Sequence, residues 1–445
     1  MQLPFPPATY IDHDKAFQKL LSKLRTEKLL AIDTESNSLY AYRERVCLIQ
    51  LSTRKHDYIL DPLRIADLSP LGEILANPAV EKVFHAAEYD LMCLKRDYGF
   101  TVANLFDTQI AARIGGQKTV GLDKLLHEHF GLTVDKSHQR DDWGERPLPE
   151  ESLLYAQMDT HYLPQLRDIL HAHLKAIGAL HEATESFEDA CNVTVPNTGF
   201  DPDGFWRLGI PAGLNKKQMA ILRELYLLRD EFARERDVPL FKVFNDQVLI
   251  ALSEADPTHP TELKQIRGMS AAQINRYGKP VLEAIKRGRT APLPQQPPRP
   301  ADIDPVVQER FALLRDWRRA RAEQRGVESD VIISKDTLWT LAVRRPTTRA
   351  ELEGIRGLGP WRLEQSGDVL DLDGAVADPA CGGQHLDQGL QEEHPAGAVA
   401  AQVQAEAARG GLVGDGLGDE VGAERAGGRV LGDPDGGHER SSASR

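Results

Sequence analysis

The sequence predicts an α/β domain with a mixed sheet, then two all-helical units, then a tail of different character. Three observations predict this. Short apolar runs alternate with helical periods in the first part of the chain, the pattern of strands layered with helices. A block in the second part recurs after 89 residues, the mark of tandem modules. The final stretch keeps neither period and lacks most large apolar side chains, so it cannot bury a core.

The chain has 445 residues, enough for about two to four domains. Cys47, Cys93, Cys191 and Cys381 contain no C-x-x-C pair, so neither a zinc site nor a disulfide framework is predicted. The start, MQLPFPPATY, has no basic segment leading into an apolar core, and no later run is long enough to span a bilayer; a cytoplasmic protein without membrane contact is predicted. The net charge of −13 is unevenly divided. Lys+Arg against Asp+Glu number 21 and 31 in residues 1–204, 28 and 21 in 205–367, and 5 and 15 in 368–445. An acidic first part suits metal chemistry and a basic middle suits a polyanion.

In chain order, Phe17, Leu20, Leu21 and Leu24 have helical spacing, and Leu29–Ile32 reads as a buried strand ending in Asp33-Thr34-Glu35. Arg45–Leu51 and Asp57–Asp61 read as two further strands whose short connections favour an antiparallel meander. A helix over about 68–76 follows, then strand Val83–His85, a helix from Ala86 carrying Asp90, strand end Leu105–Thr108, helix Gln109–Ile114 and another helix from Gly121. A polar segment, Lys136–Pro149, precedes one long helix from about Glu150 to Ile177, on which Tyr155 and Asp159 share a face.

Beyond a Pro-, Gly- and Asn-rich connection, Glu262–Met269 matches Glu351–Leu358. At the same offset Ala233, Arg236, Val238, Leu249 and Gly278 meet Ala322, Arg325, Val327, Leu338 and Gly367. Thr290–Pro300 separates the copies as a stiff linker. The predicted boundaries are 1–195 for the α/β domain, 213–289 and 302–370 for the helical units, and 371–445 for the tail. From about Asp368 the chain contains no Ile, Phe, Tyr, Trp, Met, Lys, Asn or Thr, so the tail is predicted to be disordered. Several of the missing residues have AT-rich codons, as if a GC-rich gene were read in a shifted frame. Resequencing that finds one intact frame through codons 360–375 would refute this.

Taken alone, each acid has an ordinary reading: Asp33 and Glu35 as solvated strand-end acids, Asp90 as a helix-dipole partner, Asp159 as a surface acid one turn from a core tyrosine. Together, three blocks carry more: Ile32-Asp33-Thr34-Glu35-Ser36, His85-Ala86-Ala87-Glu88-Tyr89-Asp90-Leu91, and Tyr155-Ala156-Gln157-Met158-Asp159. This order resembles the tyrosine-bearing branch of the DEDD superfamily of 3′→5′ exonucleases, the ribonuclease D family in particular, and the two repeats resemble HRDC domains. The resemblance covers about residues 1–367. It implies a ribonuclease H-like fold for the first domain and a metal-dependent exoribonuclease that trims tRNA precursors and other structured small RNAs to nucleoside 5′-monophosphates.

The resemblance also implies roles. Two divalent ions, Mg²⁺ or Mn²⁺, would be held by Asp33, Glu35, Asp90 and Asp159. Asp33 would bridge them, Glu35 and Asp159 would complete the first site, and Asp90 would serve the second. Tyr155, with a phenol pKa near 10, suits orienting the water better than deprotonating it. His85 at a strand end reads as structural, and Asp107 as a helix cap. Trp143 and Arg146 stand where they can stack on or pair with the terminal nucleotides; the alternative is a loop anchored by a buried tryptophan. Lys264, Arg267, Arg276 and Lys279 make the first helical unit basic and predict RNA contacts there. The second unit is more balanced, carries Trp361 and sets Ser366 opposite Tyr277, so its last helix and its binding role are in question. A monomer is expected. Two other readings stand at this point: the same fold acting on DNA, and a non-catalytic RNA-binding protein.

Overall fold

The apolar runs become one six-stranded sheet of order β1-β4-β3-β2-β5-β6. Its strands are β1 Thr9–Ile11, β2 Leu29–Ser36, β3 Val46–Ser52, β4 Asp57–Leu60, β5 Glu81–Phe84 and β6 Leu105–Asp107. β3 runs antiparallel to both β2 and β4, as the short connections predict. β5 and β6 add in parallel beyond β2, and β1 adds in parallel at the β4 edge, so the sheet is mixed. The computed structural model describes residues 5–196, 199–211, 213–298 and 302–365; Ser366, Gly367 and the tail from Asp368 lie outside them.

Eight helices complete the α/β domain: α1 Asp14–Leu24, α2 Ser69–Ala76, α3 Glu88–Tyr98, α4 Thr108–Ile114, α5 Leu122–Phe130, α6 Glu150–His161, α7 Leu163–Ala176 and α8 Leu180–Ala190. The main core joins Ile49 and Leu51 of β3 to Phe17, Leu21 and Leu24 of α1, Leu91 and Leu94 of α3, and Leu166 and Leu170 of α7. On the other face Leu48 and Ile59 pack with Trp143, Tyr155 and Ala156 under α6. β1 and α8 are additions to the predicted elements.

The long helix predicted from Glu150 to Ile177 is two helices, broken at Tyr162. Pro164 explains the break: it has no N–H for the Thr160 carbonyl, and its ring crowds that oxygen. The break frees α6 to cover β2, β3 and β4 while α7 packs on α4 and α8.

The repeat is structural as well as sequential. The first unit contains α9 Lys216–Glu235, α10 Leu240–Val243, α11 Asp246–Ala255 and α12 Ala271–Thr290. The second contains α13 Pro305–Arg325, α14 Ser329–Ile332, α15 Lys335–Arg344, α16 Arg349–Leu352 and α17 Pro360–Gln365. The starts of α13, α14, α15 and α17 each lie 89 residues after those of α9, α10, α11 and α12. Left-handed backbone positions recur at that offset too: Asp237 with Gly326, Asp256 with Arg345, and Gly268 with Gly357. The Ile-Arg-Gly turn therefore forms in both copies.

Both units are seated on the α/β domain. The first holds the loop after β2, where the Tyr42 hydroxyl donates to Asp230 at 2.5 Å and Lys242 lies 4.1 Å from the Tyr40 ring centre. The second sits on α8, where Glu182 pairs with Arg325 at 2.5 Å and Glu185 with Arg362 at 3.0 Å. No helix among the described residues is long and apolar enough to cross a membrane.

Candidate active site

Asp33 and Glu35 alternate along β2 and so face the same side of the sheet. The β2–β3 ladder shifts register between Glu35 and Ser36, which ends regular pairing just past the second acid. Above them crosses α6, with Tyr155 and Asp159 one turn apart. One oxygen each of Asp33, Glu35 and Asp159 lie within 4.8 Å of one another.

Asp90 reaches the cluster from the first turn of α3. Its carboxylate accepts from the Thr34 backbone N–H at 3.1 Å and from the Thr34 hydroxyl, so the residue between the two strand acids holds the third. Sequence reasoning passes over Thr34, although its place inside D-x-E is a usable signal. The start of α3 is itself fixed. Ala86 adopts a left-handed backbone with φ 58°, held by Asp107, which accepts from the N–H groups of Ala86 and Ala87 at 3.1 and 2.7 Å. Asp107 also caps α4 through Gln109 and Ile110, the role its position predicts. His85 pairs its Nδ1 with the Thr108 hydroxyl at 2.9 Å, a structural use.

These acids are starved of positive charge. None of the four forms an ion pair with a described lysine or arginine. Burial, then the neighbouring Asp90, Asp159 and Glu35 charges, hold the Asp33 carboxyl well above the usual range. Burial, then Asp159 and Asp90, do the same to Glu35. Burial raises Asp90 to about 7, and burial with Asp90 raises Asp159 to about 8. The Tyr155 phenol is raised by burial and then by Asp159, so it keeps its proton at neutral pH. Like charges so gathered need either protons or cations, and an all-oxygen donor set fits Mg²⁺ or Mn²⁺.

Trp143 and Arg146 are spent on the fold. Trp143 is 1% exposed, its ring centre 6.3 Å from that of Tyr155, so it supports α6 from below. Arg146 pairs with the fully buried Asp61 at 2.6 Å and donates to the carbonyls of Cys47 and Trp143. The expected nucleotide contacts from these two side chains give way to the alternative, a loop anchored by a buried tryptophan. Lys264, Arg267, Arg276 and Lys279 are all exposed on the first helical unit.

The family model described as 3'-5' exonuclease matches residues 8–175, and the HRDC domain model matches residues 218–285 and 307–371. Ribonuclease D of Gluconacetobacter diazotrophicus is 31% identical over 376 residues, covering 82% of this chain and 92% of that protein. The chain belongs to the ribonuclease D family. Ribonuclease D of Pseudomonas paraeruginosa is 29% identical over 377 residues, covering 82% of this chain and 97% of that one. Among solved structures, Escherichia coli RNase D, described as an exoribonuclease involved in structured RNA processing, aligns with a TM-score of 0.59 and 28% identity, covering 83% of this chain and all of that one. The activity is accordingly that of a 3′→5′ exoribonuclease, a phosphodiester hydrolase.

Proposed function

We propose that this ribonuclease D family member trims the 3′ ends of tRNA precursors and other structured small RNAs, one nucleoside 5′-monophosphate at a time, as a cytoplasmic monomer using two divalent ions, Mg²⁺ or Mn²⁺. The observation that carries the metal reading is the convergence of Asp33, Glu35 and Asp159 within 4.8 Å, with Asp90 tied to the intervening Thr34. Bound divalent ions would supply an activated water and charge stabilisation on the scissile phosphate. Asp33, which lies with Glu35 and Asp159, would help to hold both ions. Glu35 and Asp159 would complete the first site with it, and Asp90 would serve the second. Tyr155 keeps its proton on Oη and orients the nucleophilic water by hydrogen bonding.

The exposed Lys264, Arg267, Arg276 and Lys279 supply phosphate contacts for the RNA body, so the salt dependence of binding should come mainly from the first helical unit. That the Escherichia coli protein is described as processing structured RNA supports the substrate class.

The deciding experiment follows a 3′-extended tRNA with Mg²⁺, with EDTA, and with the Asp33→Ala protein. Stepwise shortening in the first case alone is expected. Shortening that persists in EDTA, or in Asp33→Ala, would remove the metal mechanism.

A further inference from the structure

Gln50 lies at the centre of β3 and is completely buried. In the antiparallel register it stands directly opposite Asp33, and on its other side opposite Ile59. Strand alternation puts it on the same face as Leu48 and Ser52. Both neighbours show where that face points: Leu48 packs in the cluster under α6 with Tyr155 and Ala156, and the Ser52 hydroxyl bonds the hydroxyl of Thr160, next to Asp159, at 2.7 Å. The Gln50 side chain is therefore enclosed between β3 and α6, beside the first acid of the site.

Neither polar atom of that amide, Oε1 or Nε2, has a hydrogen-bond partner among the described residues. A buried amide without partners is costly, and an apolar side chain of the same volume would avoid the cost. Ser52 on the same strand face has its partner, so the missing partner is particular to Gln50. Directly opposed residues on a sheet face have Cβ atoms about 4.5–5.5 Å apart, so a side-chain rotation brings the Gln50 amide to the Asp33 carboxylate. A carboxylate that holds cations still has lone pairs for a donor.

We infer that Gln50 is a positioning residue of the active site, its Nε2–H group donating to the Asp33 carboxylate when the acids hold cations. The inference rests on the metal reading above. Gln50 acts through Asp33, fixing the orientation of the bridging carboxylate without touching the substrate. Its loss should weaken metal binding by about 10- to 100-fold, the usual effect of removing such a partner.

The test uses the full chain with Gln50→Met and Gln50→Leu, measuring Mn²⁺ affinity by electron paramagnetic resonance and melting temperature in EDTA. Weaker Mn²⁺ binding is expected, with a metal-free melting temperature equal to or above wild type, because an unpartnered amide has been removed. Excess Mn²⁺ should restore kcat. Unchanged Mn²⁺ affinity in both variants, with wild type binding normally, overturns this inference alone. A lowered metal-free melting temperature with a kcat that excess Mn²⁺ does not restore also overturns it, since that is a packing defect. Wild-type protein that binds no Mn²⁺ overturns the metal reading and this inference with it.

Discussion

The α/β domain carries two acidic regions that could hardly be treated more differently. On the catalytic side, Asp33, Glu35, Asp90 and Asp159 crowd together without a cationic side chain paired to any of them among the described residues, and their carboxyls are pushed upward. On α8, Glu182 and Glu185 are buried, more deeply than Asp33, Glu35 and Asp159, and saturated with partners. Arg325 answers the first; Arg362 and the backbone N–H groups of Gly359 and Trp361 answer the second. Burial alone therefore does not make an acid functional. The presence or absence of a built-in counter-charge separates an acid poised for an external cation from one that fastens a domain.

The two helical units divide along the same line. In the first, Arg236 bonds Tyr277 of its own last helix, and Ser270 with Gln273 closes the N-terminus of α12 as a capping box. In the second, the counterpart Arg325 reaches Glu182, and the N-terminus of α17 is closed by Glu185. One unit is completed from within and the other is completed by the α/β domain.

The largest expected effect breaks the catalytic side. Asp159→Asn should cut turnover by at least about 10³-fold, roughly 4 kcal/mol of barrier, while its metal-free melting temperature stays level or rises because a repulsion is gone. A near-normal rate on a 3′-extended tRNA would dissolve the contrast between the two regions. Next, Glu185→Gln should cost about 3 kcal/mol, the usual penalty for stranding a buried arginine, with Mn²⁺ affinity unchanged. Hydrogen exchange should then show residues 305–365 opening earlier than the sheet; an unchanged exchange pattern would show the fastening to be idle. Tyr155→Phe is expected to slow kcat by about 10- to 100-fold with little loss of Mn²⁺ affinity, and identical kinetics would remove the phenol from the mechanism.

The smallest effect is a pH signature confined to the catalytic side. Carboxyls raised to about 7 and about 8 bind protons in the folded state that the unfolded chain has released. The stability they contribute is present below about pH 4 and is lost as pH rises through about 8. In EDTA the melting temperature should thus fall across that window, and Mn²⁺ should flatten the profile and release protons on binding. A metal-free profile that rises with pH there would contradict the crowding.

Much of this is legible locally. The helical spacing of Phe17–Leu24, the strand reading of Leu29–Ile32 and the antiparallel meander all follow from periods of a few residues and short connections. The 89-residue repeat reappears even in left-handed positions such as Asp256 and Arg345, which differ in side chain but are each followed by Pro-Thr. The acids themselves can be named in order from three short blocks of sequence. The break between α6 and α7 is also written in the sequence, at Pro164, but the apolar period running through it masks the signal.

What only the tertiary structure decided are the pairings between distant segments. Arg146 is drawn to Asp61, 85 residues away, and so is tied into the fold. Arg362 meets Glu185 across 177 residues. Gln50 comes to face Asp33 only once β2 and β3 are in register. A sequence period specifies which way a side chain leaves its own element. Which charge or amide it then meets depends on how the elements pack, and that packing is fixed by the whole core.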